Sequence, residues 1–190
     1  NTPNDGSELI IVPKGLKGTN CRILIEPTAN IYYAINQEPF TIGYTTVSSC
    51  ATYNFPSAFP ITASNSYTSK TVTVPVTSSI ISDVNLSVNF SHTYLSDVQI
   101  EIVNPQGKTV KLFEKGCGET NGSLKLNFDD LGSAISCGQP TAQTVAPYEP
   151  LSLFNEFTPG GIWSLRVRDE FTADDGVLNS ASISICTKAY

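Results

Sequence analysis

The chain has 190 residues, a mass of 20.4 kDa, a formal net charge of −6 and a pI near 4.7. That length suits one large β domain, or one ordinary domain plus a fragment. It can bury roughly 70% of the unfolded surface, so a core needs no metal to form. The acidic balance repels a phosphate backbone and argues against a nucleic-acid partner. No apolar run reaches the length of a membrane-spanning helix. Charged residues make up 15% of the chain, below the roughly 25% of an average soluble domain, while Ser and Thr number 21 and 20. Hydroxyls and turns, more than charge, therefore keep this surface wet.

The apolar pattern has a period of two nearly everywhere. Leu9–Val12, Cys21–Ile25 and Ile31–Ile35 are β-branched and aromatic runs of strand length, separated by Pro and Gly. Val72 and Val74 alternate with Thr, and Leu86, Val88 and Phe90 alternate with Ser and Asn. Val98, Ile100 and Ile102 follow, then Val110 and Leu112, then Leu124, Leu126 and Phe128. Trp163, Leu165 and Val167 alternate with Ser164, Arg166 and Arg168, and Ile183 and Ile185 close the series. No window of a dozen residues carries a 3.6-residue period, and 147–154 holds at most a helical turn. Many short strands mean an all-β sandwich or barrel. A small, polar stretch at 43–49 marks a boundary, which divides the chain into 1–45 and 46–190. Three strands before it cannot close a sandwich alone, so residues 1–45 read as a partial Ig-like segment.

The chain has no Met, and its start lacks a basic segment followed by an apolar run. Both absences lead us to expect an internal or processed segment of a longer precursor. Five cysteines, at 21, 50, 117, 137 and 186, point to an oxidising, extracellular compartment. None forms a C-x-x-C and a single His cannot complete a zinc set. Four cysteines allow three pairings; the spacing favours Cys117–Cys137 around one loop and Cys50–Cys186 across a domain. In the chain-entropy model these stabilise by roughly 3 and 5 kcal/mol. Cys21 is left as a buried free thiol, with no His or Asn context for a nucleophile.

From Cys50 onward the motifs stand in an order that resembles the P domain (homo B domain) of proprotein convertases and secreted bacterial proteases. They are Ile81-Ser82-Asp83-Val84, then Ser91-His92-Thr93-Tyr94-Leu95-Ser96-Asp97-Val98, then Asn104-Pro105-Gln106-Gly107. Gly161-Ile162-Trp163-Ser164-Leu165-Arg166-Val167-Arg168-Asp169 and Asp174-Asp175-Gly176-Val177-Leu178-Asn179-Ser180 follow. Ala181 departs from the family, which often has an aromatic residue there. The resemblance implies a jelly-roll-like β-sandwich with no catalytic site, packed against the catalytic domain of a secreted protease and stabilising it or helping it engage protein substrate. The first 42 residues resemble the module before the P domain in flavobacterial reprolysin-like metalloproteases, through Asp5-Gly6-Ser7, Cys21-Arg22-Ile23, Asn30 to Ile35 and Phe40-Thr41-Ile42. That implies an upstream zinc protease, whose H-E-x-x-H is not in these residues. The alternative is a free-standing adhesion or substrate-binding module for extracellular protein or glycan.

The most chemical feature is the placement of acids at strand ends. Asp97, Asp129, Asp130, Asp169, Asp174 and Asp175 are candidate Ca²⁺ ligands, because a hard cation collects six to eight oxygens from carboxylates and carbonyls. The competing role is capping of turns. His92, the sole histidine, and Trp163, the sole tryptophan, lie in alternating strands and read as structural residues. Asn104-Pro105-Gln106-Gly107 reads as a tight reversal. Tyr32, Tyr33, Tyr44, Tyr53, Phe55 and Phe59 crowd the boundary, as interdomain packing or as a docking patch.

Overall fold

The computed structural model describes residues 3–189 apart from 4, 14, 30, 44–46, 57, 63–65, 119 and 172. Tyr44, Asn30 and the middle of the expected boundary segment lie outside the described residues. The chain divides into two compact units, residues 1–47 and 48–189.

Among its described residues, unit 1 holds four short strands: β1 (Gly18–Cys21), β2 (Leu24–Ile25), β3 (Ala34–Ile35) and β4 (Phe40–Ile42). They form two separate antiparallel ladders, β1 with β4 and β2 with β3. The expected strand at Leu9–Val12 does not form, and the run at Cys21–Ile25 is broken after Cys21. Arg22 explains the break. Its Nη1 turns to donate to the carbonyls of Asn36 and Gln37, at 2.5 and 2.6 Å. Asn36 Oδ1 accepts the N–H of Ile23 at 2.6 Å. A polar clamp thus replaces ladder bonds here. None of the described residues before Val47 is buried, and Leu9, Ile11 and Ile31 stand almost fully in solvent. Cys21 is half-buried with a free thiol.

Unit 2 is a β-sandwich of ten strands: β5 (Val47–Asn54), β6 (Phe59–Thr62), β7 (Thr68–Val74), β8 (Ile80–His92), β9 (Val98–Val103), β10 (Thr109–Glu114), β11 (Gly122–Ser133), β12 (Gln143–Val145), β13 (Gly161–Asp169) and β14 (Asp175–Ala189). A four-stranded sheet runs β10-β9-β13-β7; a six-stranded sheet runs β12-β11-β8-β14-β5, with β6 also on β14. Apart from the parallel β11–β12 pair, the pairings with a resolved register are antiparallel. Two 3-10 turns, Leu95–Asp97 and Leu151–Phe154, are the only helical pieces among the described residues.

The alternation works as the sequence implies. Along β8, Val84, Leu86, Val88 and Phe90 point inward; along β13, Trp163, Leu165 and Val167 do. Among the described residues, twenty-nine buried apolar side chains, from Phe55 to Ile185, form one core between the sheets. Trp163 lies at its centre, edge-on to Phe154 at 5.0 Å, and its Nε1 donates to the Pro159 carbonyl at 2.9 Å. Phe55 and Phe59 join this core, because β6 turns Phe59 and Ile61 inward. Of the boundary aromatics, Phe55 and Phe59 are thus core residues of unit 2 and Tyr53 is half-buried against that core, while Tyr32 and Tyr33 are exposed in unit 1.

The Asn104 reversal is as expected. Asn104 Oδ1 accepts the N–H groups of Gln106 and Lys108 at 3.1 and 2.7 Å. Gly107 takes a φ of +84°, which a side chain would disfavour. Two disulfides form, Cys50–Cys186 and Cys117–Cys137. β14 carries a bulge between Leu178 and Ser180, so Ala181 returns to the core face, where it is 7% exposed.

Candidate functional site

Two strand alternations end in polar residues at the same end of the sandwich. The inward series of β8 terminates in His92, and that of β13 in Asp169. Because the strands belong to facing sheets, the two side chains meet: His92 Nε2 lies 3.4 Å from Asp169 Oδ2, both fully buried. His92 Nδ1 sits 2.7 Å from the Tyr94 carbonyl and 3.1 Å from the Tyr94 nitrogen. Asp169 Oδ1 accepts the Phe171 N–H at 2.9 Å. Gly176 packs flat on the imidazole, and a Cβ there would fall 2.2 Å from His92 Cδ2. The pair therefore ties the loop after β8 to the loop after β13.

Asp169 is one of the six candidate acids, and three more lie on the loops that this pair joins. Asp97, 9% exposed, accepts the Ser96 hydroxyl at 3.0 Å, and its carbonyl accepts the Glu170 N–H. Asp174 Oδ1 accepts the Thr93 hydroxyl at 3.2 Å. The Asp175 carbonyl accepts the Thr93 N–H and its own N–H donates to the Thr93 hydroxyl oxygen, both at 3.0 Å, and Asp175 borders a shallow groove of about 450 Å³, floored by Ser91, His92 and Val177. Exposed Tyr94 and Phe171 flank the same loops.

Asp129 and Asp130 lie at the opposite end. β11 pairs with β8 from Gly122↔His92 to Phe128↔Leu86, and at about 3.4 Å per residue this places Asp129 some 24 Å from Gly122. Asp129 Oδ1 accepts the Leu131 N–H at 2.8 Å. Asp130 caps the second 3-10 turn, accepting the N–H groups of Leu151 and Ser152 at 2.6 and 2.9 Å. Asp83, not singled out by sequence, is close enough to feel both. Burial, then the charges of Asp129 and Asp130, hold its carboxyl above the ordinary value. Among the described residues, no three His, Cys, Asp or Glu side chains converge into a set able to hold a metal ion. The acids are thus split between two ends, and each of the six accepts hydrogen bonds through a carboxylate or backbone oxygen.

The two outer faces differ in chemistry. On the four-stranded sheet, Arg166 and Arg168 stack on the Tyr67 ring, 4.4 and 4.9 Å from its centroid. Arg166 pairs with Glu101 at 3.0 Å, Arg168 with Glu170 at 2.8 Å, and Gln99 joins Arg168, Glu114 and Glu170. Burial and the neighbouring Glu101 raise the Tyr67 hydroxyl above its ordinary pKa. The sequence signal for this network is the outward half of the alternation, Arg166 and Arg168 on β13 against Gln99 and Glu101 on β9. On the six-stranded sheet the outward residues are Asn89, Ser87, Asn127, Ser180 and Ser182, with Lys125 as the charge beside a depression of about 240 Å³.

Residues 81–185, more than half of the chain, match the proprotein convertase P-domain family model. Among solved structures, a serine protease of Aeromonas sobria is 18% identical over 80% of this chain and 28% of its own length, with a TM-score of 0.47. The same bacterium's serine protease in complex with its chaperone is 14% identical over 91% of this chain and 37% of that one, with a TM-score of 0.50. The chain spans about a third of the length of those proteins, and at such identity the second likeness concerns the fold alone. No curated protein matches. A family match that falls wholly inside the two-sheet, disulfide-closed unit, and that takes in both the His92 and the Asp169 strands, places this chain in the proprotein convertase P-domain family.

Proposed function

We propose that the chain is a non-catalytic accessory module of a secreted bacterial protease, a metalloprotease by the resemblance of its first 42 residues. Unit 1 is then part of an Ig-like segment, and unit 2 packs on the catalytic domain of the same precursor, stabilises it or helps it engage protein substrate. The match of residues 81–185 carries this reading, since P domains are in general accessory. The fixed, hydroxyl- and amide-rich face of the larger sheet supports it, because interfaces within one chain are moderately polar and cover 600 to 1,500 Å². The test is deletion of residues 48–190 from the parent protein. The expected result is a shorter half-life of the secreted peptidase activity. An unchanged half-life with unchanged cleavage of protein substrate overturns the accessory role. Retention of the isolated chain on collagen, cellulose or chitin favours the adhesion module instead.

Calcium is the second element of the proposal, confined to the end that gathers Asp97, Asp169, Asp174 and Asp175. The side chains alone do not make a cage there, so such an ion would draw on backbone carbonyls of the two loops for the rest of its oxygens. An ion that binds only the folded form stabilises it by mass action. Chelation from millimolar calcium is expected to lower the thermal midpoint by several degrees; an unchanged midpoint removes the ion.

A further inference from the structure

We infer that the Cys50–Cys186 bridge is a mechanical shunt, which carries tension around the sandwich and leaves it folded while the chain on either side is pulled. The shunt depends on the chain's connectivity alone and not on a protease partner. Cys50 stands three residues after Val47, where unit 1 ends, and Cys186 three residues before Ala189, where β14 ends. Their Cα atoms are 4.0 Å apart, yet 136 residues apart in sequence. All 29 core residues lie between the two sulfurs. Beyond the strand ends that overhang the bridge, Val47–Ser49 of β5 and Thr187–Ala189 of β14, a force reaching residue 49 passes to residue 187 through one side-chain bridge, and the ladders between residues 50 and 186 do not lie on that path.

The placement also meets a weakness of the fold. β5 ends the order of its sheet, and seven of its eight residues are exposed, with Tyr53 half-buried. Little apolar burial resists its peeling away, and it is where tension from unit 1 arrives. A covalent bond stands at the point where hydrophobic packing is thinnest. The Cys117–Cys137 bridge cannot do this, since it closes 20 residues within the unit. The outer bridge has a second consequence: a backbone cut anywhere between residues 50 and 186 leaves the two ends of the chain covalently joined.

Pulling the full 190-residue chain by its ends tests the shunt. In the oxidised protein, no lengthening from the sandwich is expected below the force that breaks a covalent bond. In the Cys50→Ser, Cys186→Ser double variant, one step should release the 136-residue span less the 20 residues held by the inner bridge. That is about 380 to 420 Å at roughly 3.3 to 3.6 Å per residue. Reductant admitted to the folded wild-type chain should release the whole span, about 450 to 490 Å, and this arm stands even if the double variant fails to fold. A step of about 400 Å in oxidised protein, or none after reduction, overturns the proposal. Limited proteolysis gives an independent readout: chain nicked once between residues 50 and 186 should run as one species without reductant and as two pieces with it, and separation of those two pieces without reductant counts against the bridge.

Discussion

Units 1 and 2 carry similar apolar runs and end in opposite states. Among the described residues, unit 2 buries 29 that are apolar and unit 1 buries none. Leu9-Ile10-Ile11-Val12 is as apolar as any strand of the sandwich, yet it forms no ladder and lies open to water. The difference teaches that an alternating or continuous apolar run is a demand for a facing sheet, not a supply of one. In unit 2, β8 and β13 face each other and each supplies the other's cover. In unit 1, the β2–β3 ladder exposes its apolar side chains and the β1–β4 ladder only half-buries Cys21, Phe40 and Ile42, while a polar clamp at Arg22 and Asn36 organises the chain instead.

Three substitutions sharpen the contrast. Trp163→Ala removes the largest fully buried side chain of unit 2, together with its bond to Pro159. It is expected to cost about 3 to 5 kcal/mol, read as a lowered denaturation midpoint; a loss below 1 kcal/mol would mean that the two sheets do not share one tight core. Asp83→Asn is a smaller case on the surface of unit 2. Because the Asp83 carboxyl is held above its ordinary pKa, the folded state favours the protonated acid. Its contribution is therefore present below the unfolded pKa and lost as pH rises through the folded value. The amide should raise stability at pH 7 by up to about 0.5 kcal/mol, the ceiling for a surface change, and the gain should vanish at pH 3. A gain that persists in acid would separate the effect from charge. The smallest effect is expected in unit 1. Ile11→Ser, at a nearly fully exposed position, should leave the unfolding midpoint unchanged within about 0.5 kcal/mol. A loss of 2 kcal/mol or more would break the contrast, by revealing apolar cover over that segment.

Much of the site was legible as residue types and little of it as arrangement. His92 and Asp169 were both visible at the ends of alternating strands, and counting the alternation to its last member puts each of them inward. Their meeting depends on β8 and β13 lying in different sheets, which the period of two does not encode. The six acids were legible as strand-end carboxylates, but their division between two ends follows from the antiparallel pairing of β8 with β11, a long-range fact. The Tyr67–Arg166–Arg168 stack was not legible, because the apolar half of the alternation marks the core, while the outward half carries the charges and finds its partners across strands. Asp83 escaped because its neighbours are brought close across strands.

By itself the sequence determined the all-β class, since a period of two with Gly and Pro punctuation leaves a pleated strand as the way to bury one side of each run. It determined the Asn104 turn, whose hydrogen bonds are local, and the inward place of Trp163. Tertiary structure alone decided which runs became strands. A strand is stable only with a neighbour to complete its ladder and a facing layer to dry its side chains, and both come from residues far away in the chain. That is why equally apolar segments became the core of one unit and the exposed surface of the other.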